Sequence, residues 1–364
     1  TGVSGPLNPF HPKMRSIQFT AKEQKMPKKV VLSGYFGFDN FGDEAILYVL
    51  LDKLKSLGHS VIVLSSNPEK TTKIYNTASV KNFDIINLIK TIVGSDILFS
   101  GGGSLLQDVT SFKSLFYYSM VIFLALCFHK KVVIFAQGIG PLNKSLSKFI
   151  VKNLLKHASY ISVRDENSLE LLKSWNINAE LVNDPVFSLP VPSRSLSGKV
   201  GIQLRDFSTM NYFLLKKLAK YIVKEFSDKK IEIFVFQKSL DEAVCTTFKK
   251  ILKSLKPDLE TEIISNLNRK DMIDRISDLE YMIAMRFHAL IIAIKAGVKS
   301  MGINYDIKVE KLAQEASIPL ISMDASDDYE KAFSRLKALN SAELRNFSAG
   351  KEFSWDKIEQ LLAE

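Results

Sequence analysis

The feature that most constrains the fold is a regular alternation of short apolar runs with helical segments. From residue 28 onwards, the runs at 29–36, 95–103 and 131–141 are rich in Val, Ile, Leu and Phe, and each leads into a helical pattern. Strands that are apolar on both faces are typical of a parallel sheet covered by helices on both sides. Right-handed crossovers between such strands predict a doubly wound α/β fold.

The alternation stops once, at "SLPVPSRSLSGK" (188–199), and then resumes. Prolines, serines and a glycine in succession are typical of a linker. We therefore predict an N-terminal Rossmann-like domain at 28–190, a linker at 191–199 and a C-terminal Rossmann-like domain at 200–364. The last helices, from about residue 327, are expected to pack back across one or both domains. Two such domains facing each other place ligands in the crevice between them, at the carboxyl ends of the strands.

The charge balance favours an anionic partner. The chain has 49 Lys and Arg against 39 Asp and Glu, a formal net charge of +10. Residues 1–27 are predicted to form a basic flexible tail. Basic residues interleaved with aromatic ones, as in RNA-binding proteins, do not occur, so we expect no nucleic-acid partner. Cys127 and Cys245 lie far apart, in neither a disulfide nor a metal-ligand spacing, which suits the cytoplasm. We expect no metal cofactor and an activity that survives EDTA.

The longest apolar run, 115–128, has two interpretations. It is shorter than the ~18 residues that a membrane-spanning helix needs. A buried helix is one interpretation. The other is a face that lies on a membrane surface, since Lys113, His129, Lys130 and Lys131 flank the run.

Three glycine-containing turns follow predicted strands. "GYFGFDNFGDEA" (34–45) is neither a dinucleotide fingerprint nor a P-loop, and its Asp43 and Glu44 oppose a bound phosphate. We expect this turn to shape the cleft or contact sugar hydroxyls, unless it is only a capped turn. "SGGGSLLQD" (100–108) and "AQGIGP" (136–141) bring backbone N–H groups close to a polar ligand. The predicted acceptor and cleft-lining residues are Asp39, Asn40, Asp43, Gly101, Gly102, Gly103, Gln137 and Gly138.

Cationic side chains end several predicted strands. Arg286 and His288 follow the strand at 280–285, and Lys308 follows the strand at 299–304. Arg205 and Arg164 end two further strands, although Arg164 has the alternative of pairing with an acid next to it in the chain. Arginine suits a bidentate grip on carboxylate or phosphate, and histidine exchanges a proton near neutral pH. Because clustered cations repel one another unless anions are bound, we expect these residues to form an anion site.

These motifs together resemble the polysaccharide pyruvyl transferase family, close to its bacterial cell-wall branch. The resemblance runs from about residue 29 to 345 and includes "NDPVF" (183–187), "MRFHALIIAIKAG" (285–297) and "GINYDIKV" (302–309). Its most specific parts are Arg-x-His and Tyr-Asp-x-Lys. Where the family has Leu between Arg and His, this chain has Phe287.

The resemblance implies a GT-B-like enzyme that transfers the enolpyruvyl unit of phosphoenolpyruvate to two hydroxyls of a sugar as a ketal, releasing phosphate. Arg286 and His288 then match catalytic positions. Arg286, Lys308, Arg205 and Arg164 match positions that bind the donor. The implied acceptor is a lipid-linked cell-wall polysaccharide precursor containing N-acetylmannosamine, used in the cytoplasm or at the cytoplasmic face of the membrane.

Two other functions stay open at this point. A GT-B glycosyltransferase that uses a nucleotide-sugar donor also needs glycine turns and cations. A non-catalytic glycan- or anion-binding protein on the same scaffold would bind without releasing phosphate. The oligomeric state is not predicted by the sequence.

Overall fold

A computed structural model describes residues 1–2, 26–109, 111–192, 197–207, 211–322 and 328–364 of the chain. Most of the predicted basic tail and the middle of the predicted linker lie outside these residues.

The first domain is built on a sheet of parallel strands. These are β1 (Lys29–Ser33), β2 (Ser60–Ser65), β3 (Ala78–Lys81), β4 (Ile97–Gly101), β5 (Lys131–Gln137), β6 (Tyr160–Val163) and β7 (Glu180–Leu181). The helices between them are α1 (Phe41–Ser56), α2 (Pro68–Tyr75), α3 (Ile85–Val93), α4 (Phe112–Cys127), α5 (Ser145–Leu155) and α6 (Glu166–Ser174). A 3₁₀-helix at Pro185–Ser188 leads out of the domain.

The second domain repeats this design. Its strands are β8 (Val200–Gln203), β9 (Ile231–Phe234), β10 (Thr261–Ile264), β11 (Tyr281–Ala284), β12 (Lys299–Asn304) and β13 (Leu320–Ser322). Its helices are α7 (Tyr212–Phe226), α8 (Lys238–Leu255), α9 (Arg269–Ser277), α10 (Phe287–Ala296) and α11 (Ile307–Glu315). The chain ends with α12 (Tyr329–Ala338), α13 (Ser341–Ala349) and α14 (Asp356–Ala363).

Both sheets have the strand order of a Rossmann-like fold. The first runs β3-β2-β1-β4-β5-β6-β7 and the second β10-β9-β8-β11-β12-β13, and all of their paired strands are parallel. In the first sheet the winding direction reverses between β1 and β4, and in the second sheet it reverses between β8 and β11. The predicted fold of two Rossmann-like α/β domains is therefore confirmed. A ligand crevice is expected at these reversal points.

The elements differ from the sequence-based prediction in one region and in their ends. Residues 67–94, to which no element was assigned, form α2, β3 and α3. The edge strand β3 has the sequence ASVK with no buried residue, so it lacks the apolar run that marks the inner strands. Most predicted strands also end earlier, because the chain turns out of the sheet; the residues after β1 reach a left-handed conformation at Gly37, with φ of +78°.

An apolar core joins the two domains and the C-terminal helices. The rings of Phe41 on α1 and Phe236, which follows β9, lie 4.6 Å apart. The end of the chain returns to the first domain, where Trp355 stacks on Phe135 of β5 at a ring distance of 5.6 Å. The segment that follows the second sheet therefore helps to fix one domain against the other.

Candidate active site

The carboxyl ends of both sheets meet at one cavity of about 1020 Å³. Loops that follow β1, β4, β5 and β6 form its wall in the first domain, and loops after β8, β9, β11 and β12 form the opposite wall. Open parallel sheets bind ligands at this edge. Another crevice, of about 480 Å³ between the end of α5 and β7, contains none of the predicted site residues.

Nine of the predicted site residues line this cavity. They are Asn40, Asp43, Gly103, Gly138, Arg164, Arg205, Arg286, His288 and Lys308. The five predicted cationic residues thus lie around one space, although they come from both domains.

The other four predicted residues do not line the cavity: Asp39, Gly101, Gly102 and Gln137. Asp39 points to the exposed surface and pairs with Lys70 at 2.5 Å. Gln137 is fully buried, and its Nε2 donates to Ser100 Oγ at 3.1 Å. The two glycines pack against apolar side chains of the first domain. These positions support the turns and are not part of the cavity wall.

Arg286 is held by a buried carboxylate. Its Nε donates to Asp241 Oδ2 at 3.0 Å, and its Nη2 donates to Asp241 Oδ1 at 2.6 Å. Asp241, on α8, is fully buried and also accepts the backbone N–H groups of Phe236 and Gln237 at 2.9 Å. This two-pronged pairing fixes the plane of the guanidinium group. Among the described residues nothing bonds to Nη1, which leaves that nitrogen for a ligand.

A second buried carboxylate joins Arg164 to His288. Asp184 Oδ2 lies 2.7 Å from Arg164 Nη1 and 3.6 Å from His288 Nε2, the latter too long for a hydrogen bond. Burial by itself would raise the pKa of Asp184, but the adjacent His288 and Arg164 side chains hold that pKa well below its ordinary value. Asp184 is therefore charged and draws together one basic side chain from each domain.

These carboxylates correct one expectation from the sequence. The cluster of cations does not depend on a bound anion for its charge balance, because Asp184 and Asp241 offset Arg164 and Arg286. Arg164 pairs with neither of the acids that follow it in the chain. Repulsion among these side chains is therefore smaller than expected, and atoms that stay unpaired are the remaining support for an anion site.

Several such atoms belong to residues that line the cavity. His288 Nε2, Arg164 Nε and Arg205 Nε are buried and have no hydrogen-bond partner in the part of the chain that the structure describes. Buried polar atoms of native proteins are nearly always bonded, to protein or to water. Three unpaired nitrogens on basic side chains around one cavity suit a ligand with several oxygen acceptors.

His288 packs directly against the start of α1. A Cβ atom added at Gly42 would overlap the imidazole Nδ1 of His288. Glycine at this position therefore lets the two domains approach each other at the site.

Asp43, the next residue of α1, is a buried acid in the same wall. Burial raises its pKa to about 6, although the charges of His288 and Arg164 act in the opposite direction. A Cβ atom at Gly103 would lie 2.8 Å from Asp43 Oδ1, so the glycine turn after β4 makes room for this carboxylate. A carboxyl group with such a pKa can exchange a proton near neutral pH.

Lys308 bridges the two domains. Its Nζ donates to the Oγ of Ser104, in the glycine turn after β4, at 2.8 Å. Burial, followed by the nearby charge of Arg164, lowers the pKa of Lys308 to about 8. Lys308 is therefore mostly charged at neutral pH and stands close to its titration range.

Five residues that build this site were not predicted from the sequence: Tyr35, Ser104, Asp184, Asp241 and Tyr305. The first three and Tyr305 lie within motifs quoted above, so only their roles were missed. The centre of the Tyr305 ring lies 5.7 Å from Cζ of Arg205. Asp241 lies in a helix with no distinguishing sequence pattern, and only the packing of α8 against β9 and β10 places it here.

No set of three or more His, Cys, Asp or Glu side chains that could hold a metal ion occurs in the described ranges.

Comparisons with known proteins bear on both fold and family. A family model described as polysaccharide pyruvyl transferase matches residues 40–307. No protein with a curated description is similar to this chain in sequence.

Solved structures with the same fold include two sugar-nucleotide epimerases and a glycosyltransferase. The UDP-GlcNAc 2-epimerase of Methanocaldococcus jannaschii superimposes with a TM-score of 0.62 at 11% identity, over 93% of this chain and 99% of that one. A glycosyltransferase from Rickettsia africae gives 0.61 at 14% identity, over 92% and 98%. The UDP-GlcNAc 2-epimerase of Neisseria meningitidis gives 0.55 at 11% identity, over 92% and 100%. At such low identities the likeness establishes only the GT-B-like fold.

Proposed function

Because this chain belongs to the polysaccharide pyruvyl transferase family, we propose that it transfers the enolpyruvyl unit of phosphoenolpyruvate to two hydroxyls of a sugar as a ketal. The observation that carries the proposal is the placement of Arg164, Arg205, Arg286, His288 and Lys308 around one cavity between the domains. Phosphoenolpyruvate presents a carboxylate and a phosphate on three carbons, and basic side chains are the groups that bind such a ligand.

The reaction needs one proton to be gained by carbon and two to be lost by the sugar. Protonation of the methylene carbon of the donor makes the carbon that bears the phosphate electrophilic. One sugar hydroxyl adds there and loses its proton. The phosphate then leaves with its bonding electrons, and the second hydroxyl closes the ketal. Of the two protons lost, one replaces the proton used at the methylene carbon and the other is taken by the departing phosphate.

The cavity residues suit distinct parts of this reaction. Arg286 and Lys308 hold the anionic groups of the donor. His288 either gives the proton to the methylene carbon or binds the leaving phosphate. Asp43, with a pKa raised to about 6, accepts a proton from a sugar hydroxyl. Asp39, the other aspartate of the turn after β1, points away from the cavity to Lys70 and is not positioned to act as this base.

For the acceptor, we propose a lipid-linked cell-wall polysaccharide precursor that contains N-acetylmannosamine. The support is the likeness of the motifs to the cell-wall branch of the family. The acceptor would enter along the first domain, whose wall includes Asn40, Asp43 and the glycine turn at Gly103.

The test is release of inorganic phosphate from phosphoenolpyruvate in the presence of free and lipid-linked sugar acceptors. Release that requires an acceptor, together with a product heavier by the mass of the ketal group, supports the proposal. An absence of release with every acceptor, from protein that is folded, overturns it.

A nucleotide-sugar glycosyltransferase is the second candidate, because relatives in fold include a glycosyltransferase. Such enzymes usually hold the ribose with an acid of the C-terminal domain. Here Asp241 is engaged by Arg286, and Asp306 caps α11 by accepting the N–H of Lys308 at 3.0 Å. Comparison of heat protection by phosphoenolpyruvate and by UDP-sugars separates the candidates. A non-catalytic binding protein would be protected by its ligand without releasing phosphate.

A further inference from the structure

The outer layer of the first domain presents apolar side chains to solvent. Helix α4 lies there between α3 and α5 and contacts both. Its outward stripe includes Phe116 and Phe123, which are 58% and 55% exposed, with Met120 between them at helical spacing. The inward stripe of α4 is buried in the domain core. The two interpretations of the apolar run at 115–128, a buried helix and a surface face, therefore apply to opposite sides of α4.

The neighbouring helices extend this surface. Phe83 and Ile86, at the start of α3, are 69% and 68% exposed. Leu146 and Phe149, on α5, are 57% and 66% exposed. Single apolar residues on a surface are ordinary, but a group of this size marks a binding surface. We call Phe83, Ile86, Phe116, Phe123, Leu146 and Phe149 the α3–α5 face.

The charges around the α3–α5 face are almost all positive. Helices α3, α4 and α5 contain no Asp or Glu, and they carry Lys90, Lys113, Lys148 and Lys152. Residues 81–157 as a whole hold nine lysines against three aspartates. An apolar surface surrounded by lysines complements an anionic lipid headgroup layer with acyl chains beneath it.

The α3–α5 face also continues into the cavity. Ser111 and Ser114, at the start of α4, line the cavity wall, and so does Lys148 of α5. The same two helices therefore carry the exposed apolar residues on one side and part of the cavity rim at one end. A lipid-linked acceptor anchored in a membrane beneath this face would have its sugar close to that rim.

We propose that the α3–α5 face binds the surface of an anionic membrane, so that the cavity opens towards lipid-linked sugar. This inference rests on the proposed function for the reason why the protein would bind a membrane. The evidence for the binding surface itself does not depend on that function. In the described ranges no helix is long and apolar enough to cross a bilayer. A second copy of the chain fits less well, because a two-fold contact through this face would set lysines against lysines.

The test is flotation of the full chain with vesicles of phosphatidylglycerol or of phosphatidylcholine. We expect salt-sensitive binding to phosphatidylglycerol and little binding to phosphatidylcholine. The variant Phe116→Ser/Phe123→Ser should lose binding about tenfold, since aromatic insertion is removed. Lys90→Glu/Lys113→Glu should lose it as well. Tyr212→Ser/Phe213→Ser is the matched control, because these aromatic residues of α7 are 60% and 64% exposed on the other domain.

Absence of binding to phosphatidylglycerol vesicles at low salt, or equal binding by the Phe116→Ser/Phe123→Ser variant, overturns the proposal. Self-association that this variant abolishes, without vesicle binding, assigns the face to a second copy and also overturns it. Phosphate release with a water-soluble sugar acceptor separates this failure from failure of the proposed function. That release should be unchanged in the variant, and it does not depend on vesicles.

Discussion

Asp241 holds Arg286 at two points, with Nε–Oδ2 and Nη2–Oδ1 distances of 3.0 and 2.6 Å, in the interior of the second domain. The pair fixes one guanidinium edge and turns the other towards the cavity. A carboxylate that contacts no proposed substrate atom thus sets the geometry of the donor site.

Replacement of Asp241 by Asn should therefore impair both stability and donor binding. It leaves a buried guanidinium without its counter-charge, and breaking a buried pair in this way costs about 3–5 kcal/mol. Urea denaturation measures the loss of the free energy of unfolding, and the KM for phosphoenolpyruvate measures the effect on binding. Asp258→Asn, at a carboxylate whose side chain is 78% exposed, is the control and should change neither. An Asp241→Asn protein with wild-type stability would show that the pair is unimportant.

His288→Ala should abolish most of the transfer while the fold is kept. General acid–base residues contribute about 10²–10⁴-fold to a rate, so the kcat should fall by that order. Circular dichroism and the thermal midpoint check the fold, and His157→Ala, at an exposed residue just after α5, serves as the control. Retention of most of the wild-type rate by His288→Ala would remove histidine from the mechanism.

Gly42→Ala tests the contact between α1 and His288. Alanine is favoured over glycine inside a helix by up to about 1 kcal/mol, so the helix itself should not suffer. The added Cβ overlaps His288 Nδ1, and we expect the imidazole to be displaced and the kcat to fall by about tenfold or more. Gly350→Ala, where the nearest atom to an added Cβ is 3.6 Å away, is the control. Full activity of Gly42→Ala would mean that the position of His288 is not critical.

The pH dependence of kcat/KM should be bell-shaped. Asp43 acts in its deprotonated form, so activity should fall as pH drops through about 6, the value to which burial raises its pKa. Lys308 acts in its protonated form, so activity should also fall as pH rises through about 8, the value to which burial lowers its pKa. Asp43→Asn should remove the acid limb together with most of the rate. Lys308→Arg should move the alkaline limb to higher pH. A profile that is flat between pH 5 and 9 would contradict both assignments.

Strand-end positions explain how much of this site the sequence could predict. Arg286, His288 and Lys308 each follow a strand, and parallel strands share one carboxyl edge, so their meeting follows from the pattern alone. The same reasoning placed Asp39 at the cleft, which is wrong. The direction of a side chain within a turn depends on its partners, and Asp39 turns to Lys70. Asp241 could not be selected, since its position follows from how a helix packs on the sheet. The edge strand β3 was missed for a related reason: an exposed strand needs no apolar run.

The central claim is that basic side chains at the cavity bind one small donor with several negative charges. Calorimetric titration of phosphoenolpyruvate tests it most directly, with Lys224→Met as the control, because Lys224 pairs with Glu330 at 3.0 Å and does not line the cavity. We predict that the wild type and Lys224→Met bind the donor alike, and that Lys308→Met and Arg205→Met each weaken binding by about tenfold or more. Equal affinity in all four proteins, or no binding by the wild type, would contradict the claim.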